Sequence, residues 1–137
     1  MKTINTLKAF AAATILSLSF NAIATANPVE SDSNSSAQSS LYTVATRSDD
    51  VSANDYDLWN ITLDAHESYL IVVEGDGDTD LDLYIYDENG NEIDKDIDDT
   101  DYCICEVTPR WTGKFKIKIK NYGSVYNHYN LRIYRED

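Results

Sequence analysis

The sequence has few basic residues, few histidines and few cysteines. Its 137 residues include 11 Lys and Arg against 24 Asp and Glu, a formal net charge of −13 at pH 7. Proteins that bind nucleic acid or anionic lipid through charge need a basic footprint, so this balance argues against both partners. The two histidines, His66 and His128, are far apart and neither lies in a catalytic motif. We therefore predict a protein that is not an enzyme.

Long apolar stretches are confined to the N-terminal region. Lys2 and Lys8 accompany a mostly apolar stretch over residues 9–20, and Ala24-Thr25-Ala26 has the small-residue pattern of a cleavage site. We predict a signal peptide at 1–26, and hence a secreted or periplasmic protein. The alternative is a retained membrane anchor, but the stretch is too short and too rich in serine to span a bilayer comfortably.

The next segment, 27–40, is rich in serine, and its only apolar side chains besides Pro28 are Val29 and Ala37. Such a segment buries too little surface to offset the entropy of ordering, so we predict a disordered leader. Residues 41–137 are sufficient for one domain with one hydrophobic core, which we expect to be a monomer.

Segments of alternating apolar and polar residues follow one another in this domain. In Leu81–Tyr86 the apolar side chains recur every second residue, which indicates a β-strand with one buried face. The Asn89-Gly90 dipeptide that follows is typical of a tight hairpin. Because no helical periodicity is found after the signal peptide, we predict an all-β fold: an antiparallel, jelly-roll-like β-sandwich of roughly eight strands. The predicted strands cover residues 41–46, 55–63, 68–74, 81–86, 92–98, 102–107, 113–120 and 129–134.

Two predictions concern which side chains point inward. Trp59 shares a face with the apolar residues of its strand, so we expect it to be buried against the strand Leu81–Tyr86. In the segment 92–98 we expect Ile93 and Ile97 to point inward, while the aspartates between them point to solvent.

Several segments together resemble the bacterial pre-peptidase C-terminal domain family. The most specific is Gly75-Asp76-Gly77-Asp78-Thr79-Asp80-Leu81-Asp82-Leu83-Tyr84-Ile85-Tyr86-Asp87-Glu88-Asn89-Gly90. Residues 55–63, 107–109, 111–115 and 129–133 continue the resemblance, which covers roughly 55–134. It implies a small β-sandwich module of the kind appended to secreted proteases, related to the collagen-binding domains of clostridial collagenases. Such modules assist the secretion, targeting or stability of a neighbour, and some bind extracellular polymers.

The stretch 74–101 contains 13 acidic residues and one basic residue, Lys95. Their mutual repulsion would be relieved by calcium, which takes six to eight oxygen ligands in flexible geometry. The residues alone favour a site at Asp76, Asp78 and Asp80, although Leu81 stands where an EF-hand loop requires glycine. The alternative is an acidic surface that only keeps the protein soluble.

The resemblance implies a rival calcium site. Collagen-binding relatives bind calcium near the acidic entry to the aromatic strand, and the matching positions here are Asp55 and Asp57. Asp49 and Asp50 are candidates for additional ligands.

The two cysteines, Cys103 and Cys105, lie two residues apart on one face of a predicted strand. In an oxidising compartment two lone cysteines usually pair, so we favour a disulfide, although it would require a local kink. The alternative is a pair of buried thiols that pack as small apolar side chains. A zinc site is disfavoured because only two histidines could complete it.

Four lysines, Lys114, Lys116, Lys118 and Lys120, alternate along one predicted strand. They form either the solvated face of an edge strand or a contact surface for an acidic ligand or for the acidic residues of another copy. In collagen-binding relatives this strand presents aromatic residues outward, so the lysines argue against collagen.

The predicted function is that of a secreted, non-catalytic accessory module, stabilised by calcium, that acts in trans. Its expected partners are an extracellular protein or polysaccharide, including a secreted peptidase. Tyrosine combines large contact area with a low entropy cost, so we expect the contacts to involve Tyr84, Tyr86 and Tyr122. The alternative is a calcium-dependent carbohydrate-binding module; a small secreted hydrolase is a third, weaker candidate.

Overall fold

The computed structural model describes residues 40–137. The predicted signal peptide and all but the last residue of the predicted leader lie outside the described residues. Over 40–137 there is no helix of the length and apolarity needed to cross a membrane.

The described chain forms eight β-strands and no helix, which confirms the predicted all-β fold. In chain order the strands are β1 (Leu41–Val51), β2 (Tyr56–Leu63), β3 (Tyr69–Glu74), β4 (Leu81–Tyr86), β5 (Glu92–Asp96), β6 (Tyr102–Val107), β7 (Gly113–Asn121) and β8 (Asn127–Glu136).

The strands form two four-stranded antiparallel sheets. Sheet A has the order β1-β8-β3-β6, and sheet B has the order β2-β7-β4-β5. The pairing is nested, since β1 pairs with β8, β2 with β7, β3 with β6 and β4 with β5, and successive pairs alternate between the sheets. This arrangement is a jelly roll, as predicted. It places the β1–β2, β3–β4, β5–β6 and β7–β8 loops at one end of the sandwich.

The core lies between the two sheets and consists of every second side chain of the inner strands. In β4, for example, Leu81, Leu83 and Ile85 are fully buried, which confirms the alternation expected from the sequence. Burial of such side chains supplies most of the favourable free energy of folding. The other buried apolar residues of the core are Val51, Leu63, Tyr69, Ile71, Val73, Cys103, Cys105, Val107, Phe115, Ile117, Ile119, Tyr129, Leu131 and Ile133.

Strand β1 is longer than the sequence predicted. It was expected to end at Thr46, but it continues to Val51 through a polar segment. Arg47 pairs with Leu131 and Asp49 pairs with Tyr129, so backbone pairing to β8 holds this polar segment in the sheet. Hydrogen bonding to a neighbouring strand therefore outweighs local composition here.

The inward and outward faces of β5 are the reverse of those predicted. Asp94 pairs with Ile85 and Asp96 pairs with Leu83, so both aspartates lie on the inner side of sheet B. Ile93 and Ile97 are instead 42% and 52% exposed.

The inward aspartates of β5 form hydrogen bonds to the edge of the other sheet. Asp96 Oδ2 accepts a hydrogen bond from the Ile104 backbone N–H at 2.8 Å, and Asp94 Oδ2 accepts one from the Glu106 N–H at 2.9 Å. Because β6 is the last strand of sheet A, these donors have no neighbouring strand on that side. The two carboxylates thus close one side of the sandwich and protect an edge strand from pairing with another chain.

Trp59 is only half-buried, contrary to the prediction. It lies on β2, an edge strand that is separated from β4 by β7. Its Nε1 donates a 2.7 Å hydrogen bond to the hydroxyl of Tyr129, and its ring packs at the margin of the core. Trp111 is 38% exposed and stacks on Phe115 with 6.1 Å between ring centroids.

We expect the double substitution Asp94→Ala with Asp96→Ala to destabilise the fold. Each change removes one hydrogen bond to a backbone donor of β6, at a cost of about 1 kcal/mol per bond. The measurement is chemical denaturation in the presence of a chelator. The matched control, Asp78→Ala with Asp99→Ala, removes the same charge from exposed sites. Equal free energies of unfolding for the two double variants would contradict this assignment.

Candidate functional site

The acidic loop between β3 and β4 is held by a buried amide, Asn127. Its Nδ2 donates to the Thr79 carbonyl at 3.3 Å and to Thr79 Oγ1 at 3.0 Å, and its Oδ1 accepts from the Asp76 N–H at 3.3 Å. A Cβ at Gly75 would lie 2.6 Å from Asn127 Oδ1 and closer still to Asp101, so only glycine fits there. Asn127 was not predicted from the sequence, although a polar residue at an inward position of β8 indicates such a role.

A second buried amide, Asn121, organises the neighbouring loops. Its Nδ2 donates to the Val51 carbonyl at 3.2 Å and to the Val125 carbonyl at 2.8 Å, and its Oδ1 accepts from the Gly123 N–H at 2.7 Å. Asn121 and Asn127 are both fully buried, and each satisfies backbone groups that would otherwise be orphaned. Together they fix the loops at the acidic end of the sandwich.

The first predicted calcium ligand, Asp76, has a structural role in its own loop. Asp76 Oδ1 accepts a hydrogen bond from the Asp78 N–H at 3.2 Å, and Oδ2 accepts one from the His128 N–H at 3.0 Å. Asp101 Oδ2 accepts from the Gly77 N–H at 2.5 Å. Asp78 itself is exposed. Asp76 and Asp101 thus bind backbone donors, as aspartates in turns commonly do.

The carboxylate of Asp80 differs from the others in this loop. Its Oδ1 is buried and has no hydrogen-bond partner among residues 40–137. Burial raises the pKa of Asp80, and the charges of Asp82, Asp99 and Asp98 raise it further. A buried, unsatisfied carboxylate oxygen beside other carboxylates is the kind of group that a cation would stabilise.

The rival set of calcium ligands does not form one cluster. Asp55 Oδ1 accepts a hydrogen bond from the Tyr56 N–H at 2.8 Å, and Asp57 Oδ2 accepts one from the Tyr129 hydroxyl at 2.8 Å. Asp50 Oδ1 lies 2.5 Å from His128 Nδ1. In the part of the chain that the structure describes, no group of three or more His, Cys, Asp or Glu side chains is placed to hold a metal ion.

His128 also contacts a serine, in the order found in a catalytic triad. Ser48 Oγ lies 3.1 Å from Nε2 of His128, whose Nδ1 faces Asp50. The side chains of His128 and Asp50 are 50% and 60% exposed, at the surface of sheet A. Acyl transfer also needs donors for the oxyanion and a site that excludes water, so these contacts alone carry no catalytic function. His66 is exposed in the β2–β3 turn, with a positive φ of 66°.

The two cysteines face the core, where Cys103 is 1% exposed and Cys105 is fully buried. The Cys103 thiol donates a 3.0 Å hydrogen bond to the Leu81 carbonyl, and burial raises its pKa. The structure contains no disulfide between Cys103 and Cys105, and in this respect it differs from the prediction. In a regular strand, residues i and i+2 are about 6.6–6.8 Å apart. That separation is at the upper limit for a disulfide.

A cleft of about 310 Å³ opens between the edge strands β1 and β2. Arg47 lies at this cleft with its guanidinium 5.9 Å from the centroid of the Trp59 ring. The other lining residues are mostly apolar: Val44, Ala45, Asn60, Ile61, Ile117, Leu131 and Ile133. This cleft could not be predicted from the sequence, because it depends on which strands lie at the edges of the two sheets.

The outer surface of sheet B carries a set of tyrosines and lysines, which we call the tyrosine–lysine face. The cross-strand pairs Tyr56–Lys120, Tyr84–Lys118 and Tyr86–Lys116 place the two residue types side by side. The face comprises Tyr56, Tyr84, Tyr86 and Tyr122 together with Lys114, Lys116, Lys118 and Lys120.

The three tyrosines proposed as ligand contacts lie together on this face. Tyr84 and Tyr86 stack with 6.3 Å between ring centroids, and Tyr122 is close enough to Tyr84 to raise its pKa. The Tyr84 hydroxyl donates a 2.6 Å hydrogen bond to Asp82 Oδ2, and Asp82 is only 6% exposed. Burial raises the pKa of Tyr84, and the hydrogen bond to Asp82 and the nearby Tyr122 raise it further.

The four lysines are not on an edge strand. Strand β7 lies between β2 and β4, so protection of a sheet edge does not account for them. The Nζ of Lys118 lies 4.8 Å from the Tyr56 ring centroid and 5.5 Å from that of Tyr84. Lys120 Nζ lies 5.4 Å from the Tyr122 ring centroid. These distances are within the range of cation–π attraction.

We expect Asp80→Asn to raise the melting temperature by a few degrees at pH 7 in the presence of a chelator. Because the folded chain raises the pKa of Asp80, the stability linked to its protonation is present below the unfolded pKa, about 3.9, and is lost as pH rises through the folded pKa. The gain from Asn should therefore shrink toward pH 4. Asp78→Asn, an exposed control with the same charge change, should have a smaller effect; equal shifts would refute the argument.

No protein-family model matches the sequence, and neither does any curated protein. The fold does match solved structures. One is the pre-peptidase C-terminal domain of a collagenase from Bacillus anthracis, with a TM-score of 0.56 and 13% identity over 65% of this chain and 87% of that chain. A periplasmic inhibitor of g-type lysozyme from Aeromonas hydrophila has a TM-score of 0.54 and 10% identity, over 66% of this chain and 84% of its own.

A mitogen derived from Yersinia pseudotuberculosis is similar in fold as well. Its TM-score is 0.54, with 17% identity over 70% of this chain and 86% of that chain. At such identities the likeness concerns the fold and not the function. The chain therefore has the β-sandwich fold of a pre-peptidase C-terminal domain, as the sequence resemblance implied.

Proposed function

We propose that the chain is a secreted, non-catalytic binding module whose tyrosine–lysine face contacts an extracellular protein or polymer. The observation that carries the proposal is the row of four lysines on an interior strand, with tyrosines on both neighbouring strands. Tyrosine rings provide contact area at low entropic cost, and the lysines add orientation through charge. A secreted peptidase assisted in trans is one such protein partner.

The comparisons support this proposal at the level of analogy. A pre-peptidase C-terminal domain of a collagenase and a lysozyme inhibitor are both built on this fold. The first is a C-terminal domain of a collagenase, and the second inhibits g-type lysozyme. Because one fold hosts many functions, the argument for this chain depends on its own surface.

We expect Tyr86→Ala with Tyr122→Ala to weaken binding at least about tenfold, the usual effect of removing aromatic contact residues from an interface. Tyr84 is left in place because its hydroxyl satisfies the buried Asp82. The control, Tyr42→Ala with Tyr102→Ala, removes two exposed tyrosines from sheet A. The measurement is affinity for ligands retained from secreted proteins and extracellular polymers. If both double variants bind equally well, the face assignment is wrong.

We also propose that calcium binds at the acidic end of the sandwich, with Asp80 as its central ligand. The supporting observation is the buried, unsatisfied oxygen of Asp80, whose pKa is raised by burial and by the charges of Asp82, Asp99 and Asp98. Since the carboxylates do not form a preassembled cage, binding would require some of them to move toward Asp80. Calcium tolerates such irregular oxygen sets better than magnesium does.

This proposal predicts a calcium-dependent gain in stability. At a calcium concentration of about a hundred times the dissociation constant, the gain is about 2.7 kcal/mol. Magnesium should give less, and sodium chloride at matched ionic strength separates coordination from screening. Asp80→Asn should abolish the calcium shift in melting temperature, whereas Asp55→Asn with Asp57→Asn should preserve it. Identical melting curves in calcium and in matched salt would exclude the site, and loss only in the second variant would favour the rival site.

A calcium-dependent carbohydrate-binding module is the alternative within the same proposal. In that case a chelator should abolish binding to glycans as well as the gain in stability. Binding that persists in chelator would separate the tyrosine–lysine face from the cation.

A further inference from the structure

The lysines of the tyrosine–lysine face are distinguished by what they do not contact. Lys95 pairs with Glu92 at 2.8 Å, Arg132 pairs with Glu74 at 2.7 Å, and Arg135 lies 3.9 Å from Glu67. Within residues 40–137, none of the four β7 lysines forms an ion pair with a carboxylate. In a chain with 24 acidic residues, this separation of charge requires an explanation.

The neighbouring strands explain why these lysines remain without carboxylate partners. The outward side chains opposite them on β2 are Tyr56, Leu58, Asn60 and Thr62, and those on β4 are Asp82, Tyr84 and Tyr86. Asp82 is the one carboxylate in this set. It is 6% exposed, and it accepts a hydrogen bond from the Tyr84 hydroxyl. The row of four like charges, spaced about 6.6–6.8 Å apart along β7, therefore has no exposed carboxylate opposite it on β2 or β4.

Tyrosine rings hold two of the lysine ammonium groups in defined positions. Lys118 Nζ lies between the rings of Tyr56 and Tyr84, and Lys120 Nζ lies near Tyr122 and donates to the Asn54 carbonyl. An anion that approached this row would meet ammonium groups already placed between aromatic rings. Less side-chain entropy is then lost on binding than with free lysines.

We propose that the ligand of the tyrosine–lysine face is a linear anionic polysaccharide with a carboxylate on its sugar rings. The proposal rests on the proposed binding function and specifies its partner. The polymer lies along β7, with its carboxylates at the lysine row and its sugar rings against the flanking tyrosines. A repeating polymer matches a repeating row of charges, and the apolar faces of sugar rings match the aromatic rings.

The charge of the chain favours this class over nucleic acid. Double-stranded DNA carries one charge per about 1.7 Å of axis, far denser than the lysine row along β7. The net charge of −13 opposes so dense a polyanion more strongly than one with a single carboxylate per ring. The acidic end of a second copy is a weaker candidate, because Asp76 and Asp101 there are engaged by backbone donors.

The test compares polygalacturonate with the same polymer after its carboxyl groups have been reduced to alcohols. Binding is measured by titration calorimetry in a chelator, so that calcium bridges are absent. We expect the protein to bind polygalacturonate at least about tenfold more tightly than the reduced polymer, and the affinity to fall with added salt. Lys116→Gln with Lys118→Gln should weaken binding about fivefold or more, given the usual contribution of exposed charge pairs. The control Arg132→Gln with Arg135→Gln changes the net charge equally in the other sheet and should leave binding unchanged.

Several results would overturn the inference. Equal binding of the reduced polymer would mean that a neutral glycan is the ligand, and equal binding of single-stranded DNA would mean that any polyanion is accepted. Concentration-dependent self-association that disappears in the lysine variant would identify a second copy as the partner. If no polysaccharide binds, but a protein ligand is lost in Tyr86→Ala with Tyr122→Ala, the proposed function stands and this inference fails.

Discussion

The position of β7 between β2 and β4 is the constraint on which the candidate site depends. Antiparallel pairing on both sides fixes the alternation of this strand, so that Phe115, Ile117 and Ile119 enter the core. The lysines between them must then point outward, toward the tyrosines of the neighbouring strands. The same backbone hydrogen bonds that stabilise sheet B therefore also create the tyrosine–lysine face.

The sequence correctly predicted those strands in which the alternation of apolar and polar residues matches the faces that pairing with neighbouring strands imposes. β4 and β6 have the predicted boundaries, because each combines an inward apolar residue at every second position with clear turn residues at its ends. The faces of β5 were predicted wrongly for a non-local reason. Pairing of Asp94 with Ile85 and of Asp96 with Leu83 sets its register, and the free N–H groups of β6 then supply partners for the inward carboxylates. Neither fact can be obtained from the residues of β5 alone.

The candidate site, like the strands, was predicted only in part from the sequence. Tyr84, Tyr86 and Tyr122 were identified because exposed tyrosines favour contact, and the structure brings them together. The sequence could not show which aspartate oxygens are engaged in hydrogen bonds. Asp76, Asp78 and Asp80 recur at every second residue, so the sequence does not distinguish them. In the described chain only Asp80 has a buried oxygen without a hydrogen-bond partner. Asn121 and Asn127 were missed because their importance comes from the loops that converge on them.

The acidic and basic residues of this domain have different physical roles. Many aspartates accept hydrogen bonds from backbone N–H groups; among them are Asp76, Asp87, Asp94, Asp96, Asp98 and Asp101. The pKa of Asp87 is lowered, chiefly by the Asn91 side chain and further by backbone donors of its hairpin, so its ionised form stabilises the fold above its unfolded pKa and that stability is lost at lower pH. Many of the carboxylates thus form hydrogen bonds within the fold. The β7 lysines form no ion pair with a carboxylate in the described chain, so their charge remains available to a ligand from outside.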